Sequence, residues 1–235
     1  VNYEKIPEGK IAKNDKPAPR YMKMPKPLKE SESNSLFLEF KRCIEGNRIY
    51  IPDGSCAFYF YEDAKAANES ASLLEEMTNM LTAALELAPQ DYINRYIKGE
   101  LEYNIYKERE GLLMAYTHLQ KLLELTSTDD FRYNELKAKE LFFESLIILK
   151  NNQRERYPIA ISHLMEADSL LPKKAWINNL IGESYYRSRD WIKADSFANK
   201  ASSLSTSWAM PWNLKGKIFK DRKSTRLNSS HANIS

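Results

Sequence analysis

Apolar residues recur along most of the chain at the three- and four-residue spacing that places side chains on one face of an α-helix. Residues 70–88 carry one such stripe, which ends at Pro89. Because proline lacks an amide donor and clashes with the preceding turn, we expect a helix to stop at Pro89 and another to begin at Asp91. The same spacing predicts helices over residues 111–125 and 130–149.

The pattern is less regular towards the N-terminus. Ser33 or Asn34 can cap a short helix that ends at Gly46. Residues 56–67 begin with aromatics that suit a strand and continue into a run of Glu, Asp, Ala and Lys that suits a helix. We predict a helix there, because no partner strand is visible. The chain is therefore predicted to be all-α, with an irregular helical region over residues 33–140.

A step of 34 residues separates Gly182 from Gly216, and an aromatic residue follows each glycine three positions later. Alanines follow Gly182 at 12 and 19 positions, where small side chains let two antiparallel helices approach closely. This spacing predicts stacked helical hairpins. The residues expected to pack these hairpins together are Ala160, Ala167, Gly182, Tyr185, Trp191, Ala194, Ala201, Trp212 and Gly216.

The preceding hairpin is in register with its successor in its second helix only. Residues 157–172 align with residues 191–206 at the same step of 34 residues, but Ile148 stands where the first helix needs a glycine. Three extra residues within 150–156 would place Ser145 there instead. A surface turn accepts such an insertion at little cost in free energy.

The repeated step, with its small and aromatic residues, resembles the tetratricopeptide (TPR) repeat. The resemblance implies a solenoid of helical hairpins over residues 141–220, cut short at its C-terminus, although Thr206 replaces the proline that usually closes a repeat. A wider and weaker likeness is to the helical region that follows catalytic modules in some bacterial caspase-like peptidases. It rests on residues 45–48, 52–55, 81–85 and 93–99. It concerns architecture only, because no residue matches the catalytic His and Cys motifs of those peptidases.

In solenoids of this kind the first helices of the hairpins line a concave surface that holds an extended or helical peptide. The resemblance therefore implies a partner-binding groove lined by Trp176, Asn179, Glu183, Tyr186, Met210, Asn213 and Lys217. Phe142 and Leu146 either precede these residues in the groove or belong to the core. Glu183 occupies a key position of the set with which some TPR domains grip a C-terminal carboxylate, so that class of ligand is not expected.

The formal charge of +3 is unevenly distributed. Residues 1–30 carry +4 and residues 221–235 carry +2, which leaves −3 for residues 31–220. This acidic balance argues against a nucleic-acid-binding face. Five of the ten prolines lie in residues 1–30 among interspersed lysines. We expect residues 1–32 to form a disordered Pro/Lys-rich linker, either a tether or a basic docking arm for an acidic partner.

The chain has no phosphate-binding loop, nucleophile motif or metal-ligand cluster, so we expect no cofactor, no metal and no catalysis. His118 and His163 lie on amphipathic helices and are expected to be structural. Cys43 and Cys56 match neither a disulfide framework nor a zinc pattern, and we expect partly buried thiols.

The expected function is a protein–protein interaction module, a scaffold fragment of a larger protein that binds a protein or peptide partner. The alternative is the non-catalytic C-terminal arm of a bacterial caspase-like peptidase, with its catalytic domain upstream in cis. No apolar run is long enough to span a membrane. The chain begins at Val1 without a leader, which favours the cytoplasm, and a fragment could have lost a signal peptide.

The last residues, 221–235, resemble the conceptual translation of a widely used short-read sequencing adapter. We therefore expect the natural sequence to stop near Lys220, so that the basic charges and His231 of the tail carry no function. A repeat array cut there would leave its last helix without a partner. On that basis we predict that Trp212 and Leu214 are exposed.

Overall fold

The computed structural model describes residues 30–50, 56–100 and 105–232, with side chains described over residues 35–50, 56–100 and 108–223. This described part is all-helical and contains no strand, which confirms the predicted all-α class. The helices are α1 (Glu30–Glu45), α2 (Ala57–Ala66), α3 (Ala71–Lys98), α4 (Ile105–Leu125), α5 (Tyr133–Lys150), α6 (Tyr157–Leu170), α7 (Ala175–Arg187), α8 (Trp191–Leu204) and α9 (Ala209–Ala232). A 3₁₀ turn at Arg154–Arg156 lies between α5 and α6.

Helix α1 begins earlier than predicted. Residues 1–29 of the expected linker lie outside the described residues, and residues 30–32 belong to α1. The predicted cap at Ser33 or Asn34 is wrong, because both residues lie inside this helix. The end of α1 next to Gly46 agrees with the prediction.

Helix α2 confirms the helical prediction for residues 56–67. Its N-cap residue, Cys56, supplies no side-chain hydrogen bond. Instead, the amides of Ala57 and Phe58 donate to the main-chain oxygens of Arg48 and Ile49 at 2.9 and 3.1 Å. The segment before α2 thus satisfies two of the amides that a helix N-terminus leaves unpaired.

The predicted break at Pro89 is wrong, because α3 runs through it without interruption for 28 residues. Proline removes one main-chain hydrogen bond and costs about 3 kcal/mol in a helix interior. Beyond it, however, Tyr92, Ile93 and Tyr96 are all buried, and each contributes about 1.5–3 kcal/mol on burial. Burial on both sides of the proline therefore outweighs the lost hydrogen bond. The helix ends instead at Gly99, whose φ of 72° suits glycine.

The C-terminal half is built from helical hairpins that repeat at a constant step. The most extensive helix–helix contacts join α7 to α8 and α5 to α6. The second helices, α6 and α8, are both 14 residues long and begin 34 residues apart. The first helices α7 and α9 also begin 34 residues apart.

The irregularity between α5 and α6 is the 3₁₀ turn at Arg154–Arg156. Helices α5 and α7 end in the same way: Asn152 and Arg189 both have positive φ, and both are followed by an amide that bonds back five residues. These two positions are 37 residues apart, whereas the following helices are 34 residues apart. The three residues of the 3₁₀ turn account for the difference, so the predicted insertion is confirmed.

Gly182 lies at the closest approach of α7 to its neighbours. A methyl group on it would lie 3.2 Å from the carbonyl oxygen of Ala194 and 3.3 Å from the amide nitrogen of Ala198. It would also lie 3.0 Å from a methyl carbon of Leu214. The close helix crossing expected at this glycine is therefore present.

A core cluster of buried residues extends from α1 to α7, and a smaller cluster joins α8 to α9. The core is continuous across residue 141, and that expected domain boundary falls inside α5. Cys43 and Cys56 are both buried and neither forms a disulfide. Burial raises the pKa of the Cys43 thiol, which keeps it protonated at neutral pH.

Candidate interaction cleft

A cleft of about 330 Å³ opens between α7 and α9, which we call the α7–α9 cleft. Asn179 and Glu183 of α7 line one side of it. Asn213 and Lys217 of α9 are the residues 34 positions later and lie opposite them. The complete lining is Asn179, Glu183, Met210, Asn213, Leu214 and Lys217, which includes five of the seven residues predicted for the groove.

Trp176, also predicted for the groove, does not line the cleft. Its side chain is only 8% exposed and packs edge-to-face on Phe142, with ring centroids 4.6 Å apart. Phe142 and Leu146 are themselves buried. The three residues belong to the core because α3 covers the face of α5 and α7 on which they lie, as the ring contact of Tyr96 with Phe142 at 5.5 Å indicates.

Asn179 connects the cleft to α3. Its side-chain Nδ2 donates to the hydroxyl of Tyr96 at 3.1 Å. The other amide atom, Oδ1, is buried and has no hydrogen-bond partner among the described residues. Burial and the nearby charge of Glu183 raise the pKa of Tyr96, so this phenol stays protonated.

Tyr96 is a residue that the sequence reasoning missed as part of the site. Its ring also contacts Trp208, just before α9, at a centroid distance of 6.1 Å. It lies 83 positions before Asn179 in the sequence. Nothing in the apolar stripe of α3 indicates that a tyrosine on it would support a cleft between two much later helices.

The carboxylate of Glu183 is already paired inside the fold. Nε and Nη2 of Arg187 donate to its Oε1 at 3.1 and 2.7 Å. Nη1 of Arg187 donates to the main-chain oxygen of Leu149 at 2.7 Å, which ties α7 to α5. Burial alone would lower the pKa of Arg187, but the charge of Glu183 and its hydrogen bonds raise it overall. Glu183 and Arg187 therefore neutralise each other.

Lys217 gives the cleft its net charge. It is exposed at the rim and forms no ion pair among the residues whose side chains are described. With Glu183 neutralised by Arg187, the cleft combines two asparagine amides, a methionine thioether, a leucine and one uncompensated cation. Such a lining can bind by hydrogen bonding and apolar contact.

Tyr186, the seventh residue predicted for the groove, lies outside the cleft. Its hydroxyl donates to Oδ2 of Asp221 at 2.7 Å, and its ring packs on Trp191 with centroids 5.3 Å apart. The hydrogen bond to the Asp221 carboxylate and burial raise the pKa of Tyr186. Tyr186 thus links α7 to α9 and to the tail segment, which continues α9 as helix to Ala232.

Most of the residues predicted to pack the hairpins do so. Buried against neighbouring helices are Ala160, Ala167, Gly182, Ala194 and Ala201, while Tyr185 stacks on Phe197 and Trp191 packs on Tyr186. Trp212 is 50% exposed, as predicted. The prediction for Leu214 is wrong: it is 5% exposed, because its side chain fills the space beside Gly182.

The described residues contain no group of three or more His, Cys, Asp or Glu side chains that could hold a metal ion. His118 is buried with its Nδ1 unbonded, and burial lowers its pKa. His163 lies 3.3 Å from the carboxylate of Glu144. Neither histidine lines the α7–α9 cleft.

No helix in the part of the chain that the structure describes is both long and apolar enough to cross a membrane. Comparison with known proteins adds no family: no protein-family model matches the chain, and no curated protein matches it significantly. The site must therefore be interpreted from its own geometry.

Proposed function

We propose that the chain is a protein–protein interaction module of the TPR type, and that it binds a peptide or protein partner in the α7–α9 cleft. The observation that carries the proposal is the pairing of equivalent positions across this cleft. Asn179 faces Asn213, and Glu183 faces Lys217, each pair separated by the repeat step of 34 residues. Stacked helical hairpins present equivalent residues side by side in this way on the surface that they use for binding.

The volume and lining of the cleft favour a peptide segment as the ligand. At about 330 Å³ the cleft is at the small end of ligand sites, which span about 300–1,000 Å³, so it would hold one or two side chains of a longer segment. The asparagine amides can each donate and accept hydrogen bonds, which matches the alternating donors and acceptors of a peptide main chain. Met210 and Leu214 supply apolar contact beside them.

Binding rather than catalysis follows from the charge arrangement in the cleft. Its one carboxylate, on Glu183, already accepts two hydrogen bonds from Arg187, so it is held as a structural ion. The remaining polar groups are amides and the exposed Lys217, which suit recognition. A scaffold role within a larger protein is consistent with this.

Selection of short random peptides displayed on phage against the intact chain tests the proposal. We expect the enriched peptides to bind Asn213→Ala and Lys217→Glu at least about tenfold more weakly, equivalent to about 1.4 kcal/mol for each variant. Asn199→Ala, on the exposed face of α8 away from the cleft, is the matched control and should bind as the parent does. Failure to enrich any peptide, or equal binding by all three variants, would refute the assignment.

A further inference from the structure

One face of α9 is apolar and uncovered. Trp212 and Phe219 are 50% and 73% exposed, and Gly216 lies exposed between them. These three residues follow the helical spacing of four and three positions, so their side chains share one face. We call this surface the Trp212–Phe219 face. It points away from Asn213 and Lys217, which follow Trp212 and Gly216 by one position and turn towards the α7–α9 cleft.

The repeat identifies what covers the same face one step earlier. On α7, a methyl group at Gly182 would meet the backbone of α8 at Ala194 and Ala198, and Tyr185 stacks on Phe197 of α8 with centroids 5.7 Å apart. On α9, the position equivalent to Gly182 is Gly216, and no atom lies within 4 Å of a methyl group placed there. The face by which α7 packs on its partner helix is thus present on α9 without the helix.

We propose that the Trp212–Phe219 face docks a helix from a partner protein in the manner in which α8 packs on α7. The required helix has small residues at two positions four apart, as Ala194 and Ala198 are in α8. Only small residues let a second backbone come as close to Gly216 as α8 comes to Gly182. The proposal uses the repeat geometry and not the ligand of the α7–α9 cleft.

The charge beside this face selects an acidic helix. Lys215 lies over the ring of Trp212, with Nζ 4.3 Å from the centroid, and Lys220 and Lys223 are exposed next to Phe219. Phe219 also borders a cleft of about 510 Å³ between α8 and α9, lined in addition by Asp195, Lys215, Ile218, Arg222 and Lys223. Four of the five charged residues around the face are basic. A second copy of α9 would bring the same basic residues into contact, which disfavours self-association.

A peptide made from the α8 sequence serves as the probe. It spans residues 190–205 and carries Lys193→Glu, because Lys193 lies over the ring of Tyr185, the residue equivalent to Phe219. We expect the intact chain to bind it, as measured by fluorescence anisotropy of the labelled peptide. The unsubstituted peptide should bind more weakly at low salt, and added salt should reduce the difference.

Gly216→Leu is the decisive variant. Because nothing lies within 4 Å of the added side chain, the fold should be unaffected, as circular dichroism would show, while the approach of a docked helix is blocked. We expect the dissociation constant to rise at least about tenfold. Gly111→Leu, at another helical glycine with open space around it, should leave the dissociation constant unchanged, and so should Asn213→Ala in the α7–α9 cleft.

Three results would overturn the proposal. The first is no binding of the Lys193→Glu peptide by the parent chain. The second is equal binding by the parent and Gly216→Leu. The third is a dimer in sedimentation that Gly216→Leu dissociates, which would assign the face to a second copy. Loss of peptide binding in Asn213→Ala with retention in Gly216→Leu would instead place the helix in the α7–α9 cleft.

Discussion

The hydroxyl of Ser145 donates a hydrogen bond to the main-chain oxygen of Ala160 at 3.1 Å, where α5 crosses α6. Ala160 is the equivalent of Ala194, whose carbonyl oxygen faces Gly182 at the crossing of α7 and α8. The two hairpins therefore have the same small-residue crossing, made once by a glycine and once by a serine. The hydroxyl also bonds to the Leu141 carbonyl at 2.7 Å, so no polar atom of Ser145 is left unpaired.

Replacing Ser145 tests how tight this crossing is. Ser145→Ala removes a buried hydrogen bond and should lower the free energy of unfolding by about 0.5–1.5 kcal/mol. Ser145→Val adds a methyl group where two backbones meet and should lower it further, by about 1–3 kcal/mol through overpacking. Urea denaturation followed by circular dichroism measures both. Ser203→Ala, at an exposed position of α8, is the control and should change little.

Two glycine-to-alanine substitutions at equivalent positions should have opposite effects. Gly182→Ala places a methyl group 3.2 and 3.3 Å from backbone atoms that cannot move independently, so it should destabilise the fold by about 1–3 kcal/mol. Gly216→Ala meets nothing within 4 Å and should stabilise it by about 0.5–1 kcal/mol, because alanine is the better helix former. Thermal unfolding of the two variants gives the comparison. Stabilisation by both would show that the crossing at Gly182 is looser than described.

The hydrogen bond between Tyr96 and Asn179 should contribute measurably to stability. Tyr96→Phe keeps the ring contacts but leaves the buried amide of Asn179 without its acceptor, which costs about 1–3 kcal/mol. A double-mutant cycle with Asn179→Ala should give a coupling energy of at least about 0.5 kcal/mol. Tyr50→Phe, at a partly exposed tyrosine, is the matched control. Additive effects in the cycle would mean that the hydrogen bond contributes no net stability.

Stability should fall in mild acid because of His118. Burial holds the pKa of His118 below its ordinary value of 6.5, so the unfolded chain takes up a proton at a higher pH than the folded chain does. The contribution of the neutral histidine is therefore complete above about pH 6.5 and is lost as the pH falls through the folded-state pKa. Urea midpoints measured from pH 8 to pH 5 should fall less steeply for His118→Leu than for the parent chain. Identical slopes would exclude His118 as the cause.

The sequence was sufficient for the features that depend on local spacing. The helical class, the hairpin step and the insertion near Ser145 all follow from periodicity, because a helix face and a repeat are written in the order of the residues. The same reasoning placed five residues on the two sides of the α7–α9 cleft, since equivalent positions of stacked hairpins lie side by side.

The errors arose where contacts distant in the sequence outweigh local preference. Pro89 does not break α3, because the tyrosines beyond it are buried against α5 and α7. Trp176 is buried by the same packing, and Leu214 is buried because Gly182 leaves space for it. None of these contacts has a local signal. Each depends on which helix face another part of the chain covers.

The continuity of α3 has a mechanical consequence. At one end, Thr78 donates to the hydroxyl of Tyr61 in α2 at 3.1 Å, and at the other Tyr96 accepts from Asn179 beside the cleft. A helix of 28 residues is about 42 Å long at 1.5 Å per residue. A displacement of α2 would thus reach the ligand-facing surface of α7 along a single stiff rod. The hydrogen bond missing at Pro89 is the point where that rod bends most readily.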